Sequence, residues 1–161
     1  IRELFMTRFI LTLLIIGISA SSTAETRNFP MFSIDVPGDW TYDVEAGPTA
    51  LDSGGGLISI YRPDGIGVLK MMSYVAPSII GRDRLRLLTN VDSSTALVWR
   101  EWGDFSGYQH NYVERESFFK QWWLLNEKTM LLITYESDAG ELQIEIETVE
   151  EMVTSIKINP V

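Results

Sequence analysis

The sequence predicts an α+β domain: an antiparallel sheet of about six strands, one mid-chain helix and one C-terminal helix. Three observations predict it. Short segments that alternate apolar and polar residues recur between Pro- and Gly-containing turns, the period of strands. Only two stretches carry a helical period, and they stand apart from the strand-rich segments instead of alternating with them. The chain has 161 residues, 45% hydrophobic and 22% charged, the size and balance of one domain with a real core.

Taken in order, the chain first offers an export signal over residues 1–24, with Met6 as the expected true start. Thr7-Arg8 forms a short positive region, Phe9–Ile18 an apolar run, and Ser22-Thr23-Ala24 the small residues of a cleavage site. As a helix that run spans ~15 Å, about half a bilayer core, so cleavage is expected and stable membrane insertion is not. Residues 25–161 are then the mature domain. Phe32–Val36 alternates cleanly and stops at Pro37-Gly38, and Trp40–Val44 reads as a second short strand. Ser53-Gly-Gly-Gly56 turns the chain into strand Leu57–Tyr61, and Pro63-Asp-Gly65 turns it again into Gly67–Val75.

Ser78–Thr89 is the mid-chain helix, with Ile80, Leu85, Leu87 and Leu88 as its apolar set and Gly81 weakening its start. Ala96–Trp102, Tyr108–Arg115, Phe118–Asn126 and Thr129–Tyr135 read as strands, the last two joined by a tight Glu127-Lys128 turn. Gly140–Ile156 holds the clearest helical stripe, in Leu142, Ile146, Val149, Val153 and Ile156, with Ser137 or Asp138 as cap. Lys157–Asn159 closes the chain as a short strand.

Two stretches resemble a known group. Phe32-Ser-Ile-Asp-Val-Pro-Gly-Asp-Trp40 is similar to the opening of the PsbP/Mog-type families, which include the bacterial DcrB-like exported proteins. Glu150-Glu-Met-Val-Thr-Ser-Ile-Lys157 resembles their closing segment, and the order of elements matches over residues 29–161. The resemblance implies an α/β/α sandwich and an accessory, assembly or partner-binding role with no catalytic signature.

The residues themselves narrow the chemistry. Thirteen Lys+Arg against 22 Asp+Glu give a net charge of −9, which disfavours nucleic acid as a partner. The chain has no cysteine, so disulfides, thiolate metal sites and cysteine nucleophiles are excluded. His110, the only histidine, lacks a second histidine or a nucleophile elbow, and no calcium-loop or phosphate-loop motif is present. No enzyme activity, metal or cofactor is therefore expected. Arg82, Arg84 and Arg86 read as a solvated helix face, as do Glu141, Glu145, Glu147, Glu150 and Glu151.

The aromatic residues of the second sheet half are the candidate site. Tyr108, His110 and Tyr112 line up on one strand face, whereas adjacent Trp122 and Trp123 must point to opposite faces. One helix is ~10–12 Å wide and six strands span ~24 Å, so a single helix leaves part of a face accessible. Tyr108, His110, Tyr112 and one of Trp122 or Trp123 are the expected partner- or ligand-binding residues. The expected protein is a small periplasmic or secreted accessory protein that binds another protein. The alternative is a periplasmic binding domain for a small apolar or aromatic ligand.

Overall fold

The computed structural model describes residues 23–46, 56–141 and 144–159. Most of the expected signal segment, the Ser53–Gly55 part of the glycine turn, and Leu142 lie outside them. Twelve elements are present among the described residues: β1 (Glu25–Asn28), β2 (Phe32–Val36), β3 (Thr41–Glu45), β4 (Leu57–Tyr61), β5 (Gly67–Val75), α1 (Arg82–Leu88), β6 (Arg100–Trp102), β7 (Phe105–Glu114), β8 (Ser117–Asn126), β9 (Thr129–Asp138), α2 (Ile146–Thr154) and β10 (Lys157–Ile158).

The strands form two antiparallel sheets, one of three strands ordered β1-β2-β10 and one of seven ordered β3-β4-β5-β9-β8-β7-β6. The expected single sheet of about six strands is thus corrected to ten strands in two sheets. Alternation reports which side chains are buried, and it says nothing about which strand is the hydrogen-bonding neighbour. β1 escaped the sequence reading because Glu-Thr-Arg-Asn has no apolar alternation; it is held by backbone pairing with β2 from Glu25↔Val36 to Asn28↔Ser33. Hairpins β7–β8 and β8–β9 turn through Arg115 and Glu127, whose φ of 55° and 50° suit tight connections.

Other boundaries moved for identifiable reasons. Ala96–Trp99 alternates between half-buried and exposed yet pairs with no strand; only Arg100–Trp102 enters the sheet. The alternation arises because Leu97 and Trp99 pack down on the sheet face. The mid-chain helix begins only at Arg82, with Gly81 as its N-cap in extended conformation, and of its expected apolar set only Leu85 is fully buried. α2 begins after Glu145. Ser137 and Asp138 do not cap it, because β9 continues through both, and Asp138 Oδ1 instead accepts the Gly140 N–H at 2.7 Å.

Each face of the seven-stranded sheet has its own core. One cluster joins Ile58, Ile60, Leu69, Met71, Phe118, Trp122, Ile133 and Tyr135 to β2 of the small sheet and to Val149, Met152 and Val153 of α2. The opposite cluster is smaller: Leu85 of α1 meets Tyr108, Trp123 and Leu125, with Ile80, Val91, Leu97, Trp99, Met130 and Leu132 around them. The two helices therefore lie on opposite faces of the sheet.

Candidate functional site

The α1 face is covered over only part of its width. α1 and the segment after it form the cover, and three contacts fix it there. Arg82 Nε donates to Tyr108 Oη at 3.3 Å, its guanidinium lies 5.2 Å from the Trp99 ring centroid, and Trp99 meets Tyr108 edge-on at 5.2 Å. Arg86 closes the segment by donating to Thr89 Oγ1 and to the carbonyls of Val91, Asp92 and Thr95. Arg86, half-buried, leaves the solvated face expected of the arginines, while Arg82 stays exposed even as it meets Tyr108 and Trp99. Both guanidiniums have acceptors or rings within reach, and Arg84 alone of the three keeps no partner among the described residues.

Beyond the cover the same face is open. His110 and Tyr112 stand two residues apart on β7, and Tyr112 pairs across the ladder with Phe119 of β8. Their rings stack in sequence, His110 on Tyr112 at 5.9 Å and 23°, Tyr112 on Phe119 at 5.1 Å and 17°. All three are half-buried. The stacking covers part of each ring face and leaves the rest of the ladder accessible. No hydrogen bond within the described residues occupies Tyr112 Oη or the His110 nitrogens. Next to it, Gln121 Nε2 donates to Thr134 Oγ1 at 3.5 Å and Lys70 pairs with Glu136 at 3.4 Å. The surface is a strip, aromatic at one side and polar at the other.

The structure thus divides the expected site residues. His110 and Tyr112 come together on the open strip. Tyr108, at 5% exposure, and Trp123, at 7%, lie beneath the cover, and Trp122 is fully buried on the α2 face. The expectation that Tyr108 and one of the tryptophans lie at the surface is corrected: adjacent Trp122 and Trp123 do point to opposite faces, but both faces are closed where they stand. Phe119 was missed. Its cross-strand register opposite Tyr112 was the signal, recoverable once the Arg115-Glu116 turn fixes the pairing.

Sequence reasoning also missed a buried carboxylate. Glu145, read as part of a solvated acidic face, is 2% exposed. Its Oε2 accepts from Tyr135 Oη at 2.9 Å and its Oε1 from the Ile66 N–H at 3.3 Å. A Cβ on Gly65 would collide with Glu145 Oε1, and one on Gly67 with the Tyr135 ring and hydroxyl, so both glycines of the β4–β5 connection make room for this pair. Burial, reinforced by the bond to Glu145, pushes the Tyr135 phenol well above its ordinary value. A cleft of about 670 Å³ opens beside the same connection, lined by Tyr61, Arg62, Gly67, Ser117, Glu136 and Asp138 among others. Glu150 keeps its place on the solvated face but pairs with Lys120, whose ammonium lies 5.5 Å from the Trp122 ring centroid. Burial lowers the Lys120 pKa, helped by Arg100 nearby. Among the described residues no group of three or more His, Asp or Glu side chains could hold a metal ion, and no helix is long and apolar enough to cross a membrane.

No protein-family model and no curated protein matches the chain. Solved structures do. The solution structure of cyanobacterial PsbP (CyanoP) from Synechocystis sp. PCC 6803 superposes with a TM-score of 0.61 at 10% identity, over 89% of this chain and 96% of that one. LpqN of Mycobacterium tuberculosis, described as involved in cell envelope biogenesis, gives 0.54 at 15% identity, over 81% and 84%. A protein from Bacteroides thetaiotaomicron VPI-5482 gives 0.56 at 18% identity over 80% of this chain, which spans only 45% of that longer one. The fold is PsbP-like.

Proposed function

We propose that this is a small exported, non-enzymatic accessory protein of the cell envelope that binds a partner protein through the open strip of its α1 face. The observation that carries this reading is the stacked ladder of His110, Tyr112 and Phe119, left half-exposed where the cover ends. Rings that combine apolar area with a polar tip are enriched at protein interfaces. Half-exposed rings stacked along a sheet face offer contact area to a macromolecule. His110 serves here as one ring of the ladder. The involvement of LpqN, a fold neighbour, in cell envelope biogenesis supports an envelope setting.

The test is capture from an envelope fraction with wild-type protein and with Tyr112→Ala and Phe119→Ala. Partners retained by wild type and lost by both variants, while both stay folded and melt only a few degrees lower, are the expected outcome. Retention of all partners by both variants overturns the reading. The alternative of a small apolar ligand draws support from one feature, a cleft of about 650 Å³ lined by Pro30, Met31, Val75, Thr129 and Ile158 among others. Ligand-dependent stabilisation that Met31→Asp abolishes and Tyr112→Ala leaves intact would favour it.

A further inference from the structure

The register of the sheet carries the ladder into a cleft. Residues directly opposite one another on neighbouring antiparallel strands put their side chains on the same face. Tyr112 pairs with Phe119, Phe119 with Glu136, Glu136 with Val68 and Val68 with Tyr61, so one row crosses five strands on the α1 side. Every member of this row is half-buried. The next row runs Glu114, Ser117, Asp138. The cleft of about 670 Å³ beside the β4–β5 connection is lined from both rows, by Tyr61, Val68 and Glu136 of the first and by Ser117 and Asp138 of the second, with Glu116 of the turn. Ladder and cleft are successive parts of one surface.

The cleft is acidic, and the bases around it are largely engaged. Arg62 is held by Asp64 at 3.1 Å and by Asp39 at 3.7 Å, and Lys70 by Glu136 at 3.4 Å. Of the second row and its turn, Glu114, Glu116 and Asp138 are acidic and exposed, and only Arg115 is basic. Asp138 accepts the Gly140 N–H, while the carboxylates of Glu114 and Glu116 have no partner among the described residues. Tyr61 Oη donates to Asp43 Oδ2 at 2.8 Å, which holds its ring at the cleft wall. From this we infer that the cleft receives an arginine side chain from an extended segment of the partner protein, whose neighbouring residues lie on the ladder. The inference rests on the ladder being the partner surface. Charge complementarity selects a basic occupant, on a chain whose net charge is −9. No three acidic side chains among the described residues converge to hold a metal ion, so a cation that spreads its charge fits the cleft better than a point charge. A guanidinium does so: it lies flat on an aromatic ring and donates from its edge to carboxylates. Tyr112 to Tyr61 is four strand intervals, or about 19 Å, which about six residues of extended chain would span.

A second acidic surface supplies the control: Glu147, Glu150 and Glu151 of α2 line a hollow that contains no aromatic ring. The probe is a blocked hexa-arginine peptide, titrated into the ¹⁵N-labelled protein and followed by amide chemical shifts, beside a hexa-citrulline peptide of the same shape without the charge. Hexa-arginine should shift the amides of Gly67, Ser117 and Asp138 and leave those of Glu147 and Glu151 in place, and hexa-citrulline should shift neither set. Glu116→Lys, on the exposed turn, should weaken peptide binding about tenfold, and ~0.5 M salt should act in the same direction. Tyr61→Leu should weaken it while Tyr61→Phe, which keeps the ring, should not. Equal shifts on the α2 surface, an equal response to citrulline, or no shift at the cleft with millimolar peptide would each overturn the proposal. Capture from the envelope fraction separates it from the reading on which it rests. Loss of the partner by both Glu116→Lys and Tyr112→Ala supports ladder and cleft together. Loss by Tyr112→Ala alone overturns the cleft and keeps the ladder, loss by Glu116→Lys alone does the reverse, and loss by neither overturns both.

Discussion

On the α2 side of the seven-stranded sheet, a second sheet and a nine-residue helix share the covering. Trp122, Phe105, Leu131, Ile133 and Tyr135 are all sealed from solvent there. On the α1 side the cover is a seven-residue helix and an unpaired extended segment, and the seal ends after Tyr108 and Trp123. His110, Tyr112 and Phe119 continue the same rows of side chains without a lid. The difference lies in how much width each covering spans. Seven strands extend over ~29 Å at about 4.8 Å per interval, and one helix shields ~10–12 Å of that. A second sheet makes up the shortfall on one side. On the other side the shortfall becomes surface.

The comparison predicts unequal costs for two neighbouring residues. Trp122→Ala should destabilise by about 3–5 kcal/mol, as for a large aromatic removed from a closed core. Trp123→Ala should cost less, because its cluster is the smaller of the two and lies at the end of the cover, where neighbours have more room to relax. Urea unfolding followed by far-ultraviolet circular dichroism measures both. Equal losses would mean that the two sides are closed to the same degree.

A second test probes the closed side through Glu145, the one buried carboxylate among the described residues. Tyr135→Phe removes a hydrogen bond to a charged group and should cost about 1.5–3 kcal/mol near neutral pH. Tyr135 also carries a pH dependence. Its folded pKa is raised above the ordinary value of 10, so its contribution is fully present below pH 10. Above that the unfolded chain releases the phenolic proton and the folded protein does not, and wild-type stability falls. Tyr135→Phe should lose this component of the decline, so the gap between the two proteins should narrow from pH ~9 to ~11. A constant gap would place the phenol in contact with solvent.

How much of this was legible in the sequence follows the same division. β2, β4 and β5 are bounded by Pro and Gly turns, and their expected limits match the observed ones. The alternation of Tyr108, His110 and Tyr112 fixed their common face, and the width argument anticipated that part of one face stays open. Alternation does not show where the cover stops, so it places Tyr108 and one of the two tryptophans at the surface alongside the two residues that reach it. Glu145 was illegible for another reason. Among neighbouring glutamates nothing local distinguishes it, and its burial depends on Tyr135 and on a connection 79 residues away in the chain. α2 was read too long because Leu142 extends the apolar stripe; the helix itself starts at Ile146.

The smallest effect is the most informative about the open strip. Tyr112 and Phe119 stack directly across the β7–β8 ladder, 5.1 Å apart and nearly parallel. Cross-strand aromatic pairs contribute about 0.5–1.5 kcal/mol beyond their buried area. A double-mutant cycle of Tyr112→Ala and Phe119→Ala, read by urea unfolding, should return a coupling energy of that size. Each single variant should cost well under what Trp122→Ala costs, because half-exposed rings surrender less area on truncation. The cycle then separates two roles that a binding assay alone would merge. If partner capture fails in Tyr112→Ala while stability changes little, the ring acts at the surface and the ladder is held in shape for an occupant. Were each truncation instead to cost 3–5 kcal/mol, the ladder would belong to the core. Binding loss would then follow from unfolding, and the contrast between the two faces would disappear.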